Sequence, residues 1–317
     1  MNIISHSTSH KKIALVFTSI FIIGLAGACS KPPESETESA TEVRQNALDK
    51  DEKTILWAKN NMDTVLARHE FDAANGMTMP YRLFEPENTT NEKLPLLIFL
   101  HGRGDRGTDN RVDMFKNVGL FNGPESIISP AMQKNYPSFV LIPQCSDKTD
   151  MEEWAHWIGN TPQDPFKGLG EDGSYKQHPE PSDSGAAALA LIDKIIAEYA
   201  IDADRVYITG KSMGGFGTWE FISRRPELFA AAVPMAGYSD PAQIDKIKHL
   251  PIWIFHGDQD EYNPVAGSRN MANLLGAQGA EIRYSEFPGA NHGESFKKAW
   301  ENRAIIPWMY SKKRNLE

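Results

Sequence analysis

The chain has 317 residues, 40% of them hydrophobic, with two cysteines and a formal net charge of −9. That length and apolar share are enough for one large domain with a substantial core. The acidic balance, with no basic patch interleaved with aromatics, excludes nucleic acid as an expected partner, and two cysteines exclude a disulfide framework.

Residues 1–28 read as a signal peptide rather than as part of the fold. His10-Lys11-Lys12 is a short basic stretch, residues 13–25 are mostly apolar but too short for a membrane span, and Ala26-Gly27-Ala28 offers small residues for cleavage. Cys29 follows directly, as in a bacterial lipobox, where the thiol is diacylated and becomes the new N-terminus. Leu25 stands one place further from the cut than the usual lipobox leucine, so ordinary cleavage to a free periplasmic or secreted protein is the alternative. Residues 29–52, rich in Ser, Glu, Thr and Pro, are expected to form a disordered tether. A lipid on such a tether would hold the domain, residues 53–317, at a membrane surface. Cys145 then has no partner; closing an apolar run, it is expected to be a buried structural thiol.

Within the domain, apolar spacing predicts a helix over 54–66, and 69–84 reads as a hairpin turning at Asn75-Gly76. Residues 96–100, 139–142, 206–208 and 252–255 are apolar throughout, as strands buried on both faces should be. A helix is predicted over 184–200, capped by Asp183 or Ser184, with Leu189, Ile192, Ile196 and Tyr199 facing the sheet. Further helices are predicted over 243–247, 265–278 and 293–302, and a last strand over 281–287. The alternation implies an α/β fold with a mostly parallel central sheet and helices on both faces. One segment breaks the rhythm: 144–181 is long and polar but carries Trp154, Trp157 and Phe166. Such aromatics either pin the loop to the surface or line a substrate cleft; Trp154 and Trp157 are the candidate substrate contacts.

Gly210-Lys211-Ser212-Met213-Gly214 fits G-x-S-x-G, with a strand pattern over 205–209 before it and a helix start after it. A turn this sharp strains the serine backbone, lifts its oxygen clear of the sheet and needs small neighbours. The plainer reading is a tight turn with a capping serine. A serine hydroxyl needs a base, and the base an orienting acid. Both are expected just beyond strand ends, where open parallel sheets place their sites. His292, in the loop after the last strand, is the candidate base; Asp258 and Asp260, beyond the strand 252–255, are both candidate acids. For the oxyanion, Met213 should give one N–H and Arg103, in His101-Gly102-Arg103-Gly104-Asp105-Arg106-Gly107, the other; alone, that stretch is equally a glycine-rich turn. His101 and His256 read as loop-shaping residues. No metal or cofactor is expected.

Four stretches together resemble the α/β-hydrolase superfamily: LLIFLHGRGDRGTDN (96–110), DRVYITGKSMGG (204–215), HGDQDEYNP (256–264) and GANH (289–292). More narrowly, the chain is similar to bacterial esterases and predicted peptidases related to polyhydroxybutyrate depolymerases, feruloyl esterases and phospholipase/carboxylesterases. The resemblance implies the α/β-hydrolase fold and a triad in the order Ser212, Asp260, His292, Asp260 being the acid of H-G-x-x-D. It departs at Asp105, where glutamate is common, and at Asn263, where valine often precedes the proline. The implied activity is that of an exported serine hydrolase cleaving carboxylic esters, small or on a decorated polysaccharide, through an acyl-enzyme. A peptidase on short peptides and a non-catalytic tethered binding protein are the alternatives.

Overall fold

The computed structural model describes residues 40–87 and 92–314, so the expected signal peptide and Cys29 lie outside the described residues. The chain divides into a unit ending at Val43 and a body from Arg44 onward; of the first unit only the residues from Ala40 are described, at the start of helix α1 (Ala40–Val65). Residues 40–52, expected to belong to a disordered tether, are therefore helical. The stretch is full of good helix formers (Ala, Glu, Arg, Gln, Leu and Lys), while its few large apolar groups leave residues 42–50 exposed. Low hydrophobicity bears on burial there, not on helix formation.

Eight strands form one sheet: β1 (Ala67–Asp72), β2 (Thr78–Phe84), β3 (Leu94–Leu100), β4 (Phe139–Pro143), β5 (Ile201–Lys211), β6 (Ala231–Met235), β7 (Ile252–Gly257) and β8 (Ile282–Phe287). Their spatial order is β1-β2-β4-β3-β5-β6-β7-β8. The pairs from β4 through β8 are parallel, as expected; β1 with β2 and β2 with β4 are antiparallel, so the predicted hairpin forms one edge. Gly76, at φ 81, takes the left-handed position in its turn. The helices are α2 (Asp113–Lys116), α3 (Gly119–Asn122), α4 (Pro130–Asn135), α5 (Asp183–Glu198), α6 (Met213–Arg224), α7 (Ile244–Ile247), α8 (Val265–Ala277), α9 (His292–Trp300) and α10 (Ile305–Tyr310).

The central strands alternate between two cores, which is the period of two made visible. Leu96, Ile98 and Leu100 of β3 join the core under α5, α6 and α8; Leu97 and Phe99 join the core under α1, α9 and α10. All five are fully buried, so this strand has no polar face and its sequence shows none. Helix α5 is capped by Ser182, just before the two expected caps, its hydroxyl accepting from the Gly185 N–H. Its buried face is also rotated from the expected one. Ala188, Leu191, Ile192 and Ile195 are buried, whereas Leu189 and Ile196 are only partly so and Tyr199 ends the helix. Ala187 and Ala188 bring the first half of the helix close to the sheet, while Leu191, Ile192 and Ile195 fill the contact further along and Leu189 and Ile196 flank it.

Candidate active site

The nucleophile turn joins β5 to α6. Ser212 lies between them at φ 55 and ψ −120, a conformation unfavourable for any residue with a side chain. Its N–H donates to Met235 O at the end of β6, and its carbonyl accepts from Gly215 and Phe216, starting the helix. Its side chain makes no capping hydrogen bond, so the capping-serine reading is set aside. The glycines serve close approach: a Cβ on Gly214 would stand 1.9 Å from Leu100 O, and one on Gly210 2.2 Å from Gly214 O.

Ser212 Oγ is 2.8 Å from His292 Nε2, and His292 Nδ1 is 2.7 Å from Asp260 Oδ2. The carboxylate only accepts, so Nδ1 carries the hydrogen and Nε2 is free to accept from the serine hydroxyl. The structure thus brings together the three side chains expected to meet, from the ends of β5, β7 and β8. His292 is the first residue of α9, behind an Asn291–Glu294 capping box, and its N–H donates to Glu261. Its ring lies edge-on between Tyr262 and Phe296, with centroids at 5.2 and 4.9 Å. Asp258, the other candidate acid, accepts instead from the Gly289 N–H and steadies the loop leading to His292.

The Asp260 side chain is fully buried and carries more donors than the sequence indicated. His256 Nε2 lies 3.1 Å from its Oδ2, and the Tyr262 and Asn263 amides donate to its Oδ1. Burial by itself would raise this carboxyl; the hydrogen bonds from His256, His292 and the Asn263 amide outweigh it and hold Asp260 far below the usual carboxylate range. His256 Nε2 faces only acceptors, Asp260 and Asn263 O, so it too must carry a hydrogen. Ser268, from α8, meets the other ring nitrogen at 2.7 Å. His256 therefore orients the acid, a role beyond loop shaping; its only sequence signal was its place four residues before Asp260.

Arg103 opens a one-turn 3-10 helix (Arg103–Asp105) after β3, and a Cβ on Gly102 would stand 3.8 Å from Ser212 Cβ. The loop is therefore packed against the nucleophile turn. It is braced by His101, fully buried, whose Nδ1 donates to Gly102 O and whose Nε2 accepts from Cys145 N–H at 3.0 Å. Burial pushes the His101 imidazole down to about 4, so it is neutral at pH 7, as this donor–acceptor pattern requires. Burial pushes the Cys145 thiol up to about 12, in keeping with a structural thiol.

A cavity of about 420 Å³ opens beside Ser212, Met213 and Arg103. Trp157, Phe166, Phe216, Tyr238 and Tyr262 form much of its wall. Trp157 is thus placed where a substrate contact would be. Trp154 is not: it is fully buried, donates its indole N–H to His101 O at 3.1 Å, and packs on Phe221. A Cβ on Gly217 would meet Trp154 Cβ at 2.4 Å, so the indole fills the space this glycine leaves on α6. Trp154 braces the loop from beneath. A loop tryptophan with a buried N–H needs an acceptor, and a carbonyl deep in the fold supplied it. Phe166, by contrast, is half exposed at the cavity rim, beneath the Arg103 guanidinium at 4.7 Å.

Residues 186–254 match the model of the prolyl oligopeptidase family. A crystal structure of a thermostable esterase is 35% identical and superposes with a TM-score of 0.68, covering 79% of this chain and 64% of that one. A protein of Arthroderma benhamiae described as an uncharacterized secreted protein is 25% identical over 243 residues, 67% of this chain and 23% of its own length. Poly(3-hydroxyalkanoate) depolymerase C of Paucimonas lemoignei is 31% identical over 107 residues, 34% of this chain and 22% of its own. The chain spans less than a quarter of the length of these two curated relatives. The likenesses, the mostly parallel sheet and the strand-to-helix serine turn show the α/β-hydrolase fold, and the chain is similar to esterases and peptidases of that superfamily.

Proposed function

We propose that the protein is a serine hydrolase that cleaves carboxylic esters through an acyl-enzyme. The observation that carries this reading is the unbroken hydrogen-bond chain Ser212–His292–Asp260. Ser212 Oγ attacks the ester carbonyl as its proton passes to His292 Nε2. Asp260, kept ionised by its donors, stabilises the imidazolium without taking the proton. The Met213 and Arg103 amides hold the oxyanion. His292 then gives its proton to the departing alkoxide. A water attacks the acyl-serine with His292 again as base, and a carboxylic acid leaves.

Cleavage of an ester rather than an amide is supported by the 35% identity to the thermostable esterase. Amide cleavage is the second reading, favoured by the prolyl oligopeptidase match over 186–254. That stretch carries the nucleophile but neither Asp260 nor His292. Export, with or without a lipid on Cys29, belongs to the same proposal and is supported by the pattern of residues 10–29. Among the described residues no helix is long and apolar enough to cross a membrane. The test is turnover of p-nitrophenyl acetate and butyrate by the wild type and by Ser212→Ala. Loss of at least ~10³-fold in kcat is expected; equal rates would end the serine-nucleophile reading. Acetylated xylans, feruloyl esters and aminoacyl amides, assayed side by side, separate ester from amide preference.

A further inference from the structure

The geometry points to Lys211 and Asp105 as positioning residues that clamp the two turns carrying the oxyanion donors. The inference rests on the assignment of those donors to the Met213 and Arg103 amides. Lys211 is the last residue of β5, immediately before Ser212; Asp105 is the last residue of the 3-10 turn that Arg103 opens. Lys211 Nζ lies 3.1 Å from Asp105 Oδ2, and both side chains are only 19% exposed. The lysine stem crosses the start of the loop on its way: a Cβ on Gly102 would stand 3.5 Å from Lys211 Cε. No backbone ladder joins these turns, because β3 and β5 pair only as far as Leu100 and Gly210. Beyond that register the two turns meet through the close approach of Gly214 to Leu100 O and His101 O, the packing over Gly102 and the ion pair, and of these only the ion pair reaches the 3-10 turn itself.

The other side of the 3-10 turn is anchored elsewhere. Arg103 pairs with Glu153, donates to Asp150 O at 2.6 Å and stacks on Phe166, all in the long loop after β4. Arg103 thus follows that loop unless something ties its turn to the nucleophile. The clamp does this, keeping the Arg103 amide in register with the Met213 amide. An oxyanion hole works only when both donors reach the same oxygen, and an ångström of drift is costly in rate while leaving ground-state binding intact.

The test compares the wild type with Lys211→Met, which keeps the stem, Asp105→Asn, and the double variant. Expected is a fall in kcat for p-nitrophenyl butyrate of on the order of 10-fold, with KM within about twofold. Affinity for an alkylboronic acid, which forms a tetrahedral adduct on the serine, should weaken in step with kcat. The double variant should lose no more than either single one, since one interaction has been removed in all three. Thermal unfolding of each variant is measured alongside, so that a folding defect in Lys211→Met is recognised and Asp105→Asn carries the comparison. An unchanged kcat, a change in KM alone, or losses that multiply in the double variant would overturn the clamp. If Ser212→Ala retains wild-type turnover, the esterase reading itself has failed; if Ser212→Ala is inactive while Lys211→Met and Asp105→Asn turn over normally, only the clamp has.

Discussion

Replacing Ser212 by glycine, and comparing that variant with Ser212→Ala, isolates the strain in the nucleophile turn. Both variants lose the hydrogen bond to His292, so that loss cancels. At φ 55 and ψ −120, a residue with a Cβ is strained by roughly 1–3 kcal/mol, and glycine is nearly free of this. Against that, glycine gives the unfolded chain more freedom, a disadvantage of roughly 0.4–1 kcal/mol. The midpoints, ~2 less ~0.7, leave Ser212→Gly more stable than Ser212→Ala by about 1.3 kcal/mol. In a domain of this size that is roughly 2–4 °C in Tm. Urea unfolding followed by tryptophan fluorescence reads the difference directly, with the buried Trp219 of α6 close behind the turn. Equal stability, or a less stable glycine variant, would refute the claim that this backbone is held under strain. A positive result would mean that the fold gives up stability to present a nucleophile.

Glu220, on α6, is fully buried beside Arg224 and Gln177, and burial pushes its carboxyl up to about 7 against the pull of those two partners. Between its ordinary 4.5 and about 7 the folded protein holds a proton that the unfolded chain has released, so stability falls as pH rises through that window. Glu220→Gln should flatten that fall, which is at most ~3 kcal/mol; urea midpoints at pH 5 and pH 8 that change equally in both proteins would contradict it. His256→Phe removes the second ring donor on Asp260 Oδ2. With a hydrogen bond to a charged group valued at ~1.5–3 kcal/mol, kcat on p-nitrophenyl acetate should fall by roughly 10- to 100-fold, and an unchanged kcat would remove His256 from the orienting role. Trp154→Ala should cost ~3–5 kcal/mol of stability, because the indole is fully buried. Phe166→Ala, at a residue 51% exposed, should stay within ~0.5 kcal/mol of wild type while raising KM for p-nitrophenyl butyrate. The reverse ranking in thermal unfolding would invert the places given to these two aromatics.

Much of this architecture was legible because it rests on local rules. Continuous apolar runs marked β3, β4, β5 and β7, and Asn75-Gly76 marked the hairpin turn. Strand β6 escaped: Ala231-Ala232-Val233-Pro234-Met235 is short, alanine-rich and carries a proline, all weak strand signals. It forms because β5 and β7 flank it, and pairing on both sides compensates for poor propensity. The short helices α2, α3 and α4 escaped for a similar reason, since four to six residues carry too little periodicity to read. The antiparallel pairing of β2 with β4 is set by the chain's path through space, on which residue pattern is silent.

For the site, chain order and the elbow spacing were enough to name Ser212 and His292 and to narrow the acid to two aspartates, because the reaction demands those residue types beyond strand ends; the resemblance pointed to Asp260. Choosing between Asp258 and Asp260 from the residues alone was another matter, as both follow β7 directly and stand two residues apart. Nor could spacing separate Trp154, sealed inside, from Trp157, at the cavity wall. Those distinctions, like the second histidine on Asp260 and the Lys211–Asp105 pair, depend on which groups meet across long stretches of chain. Periodicity and motif record how a residue relates to its neighbours in sequence; which side chain ends buried, and against what, is decided only when the sheet closes its two cores and brings β3, β5, β7 and β8 to one edge.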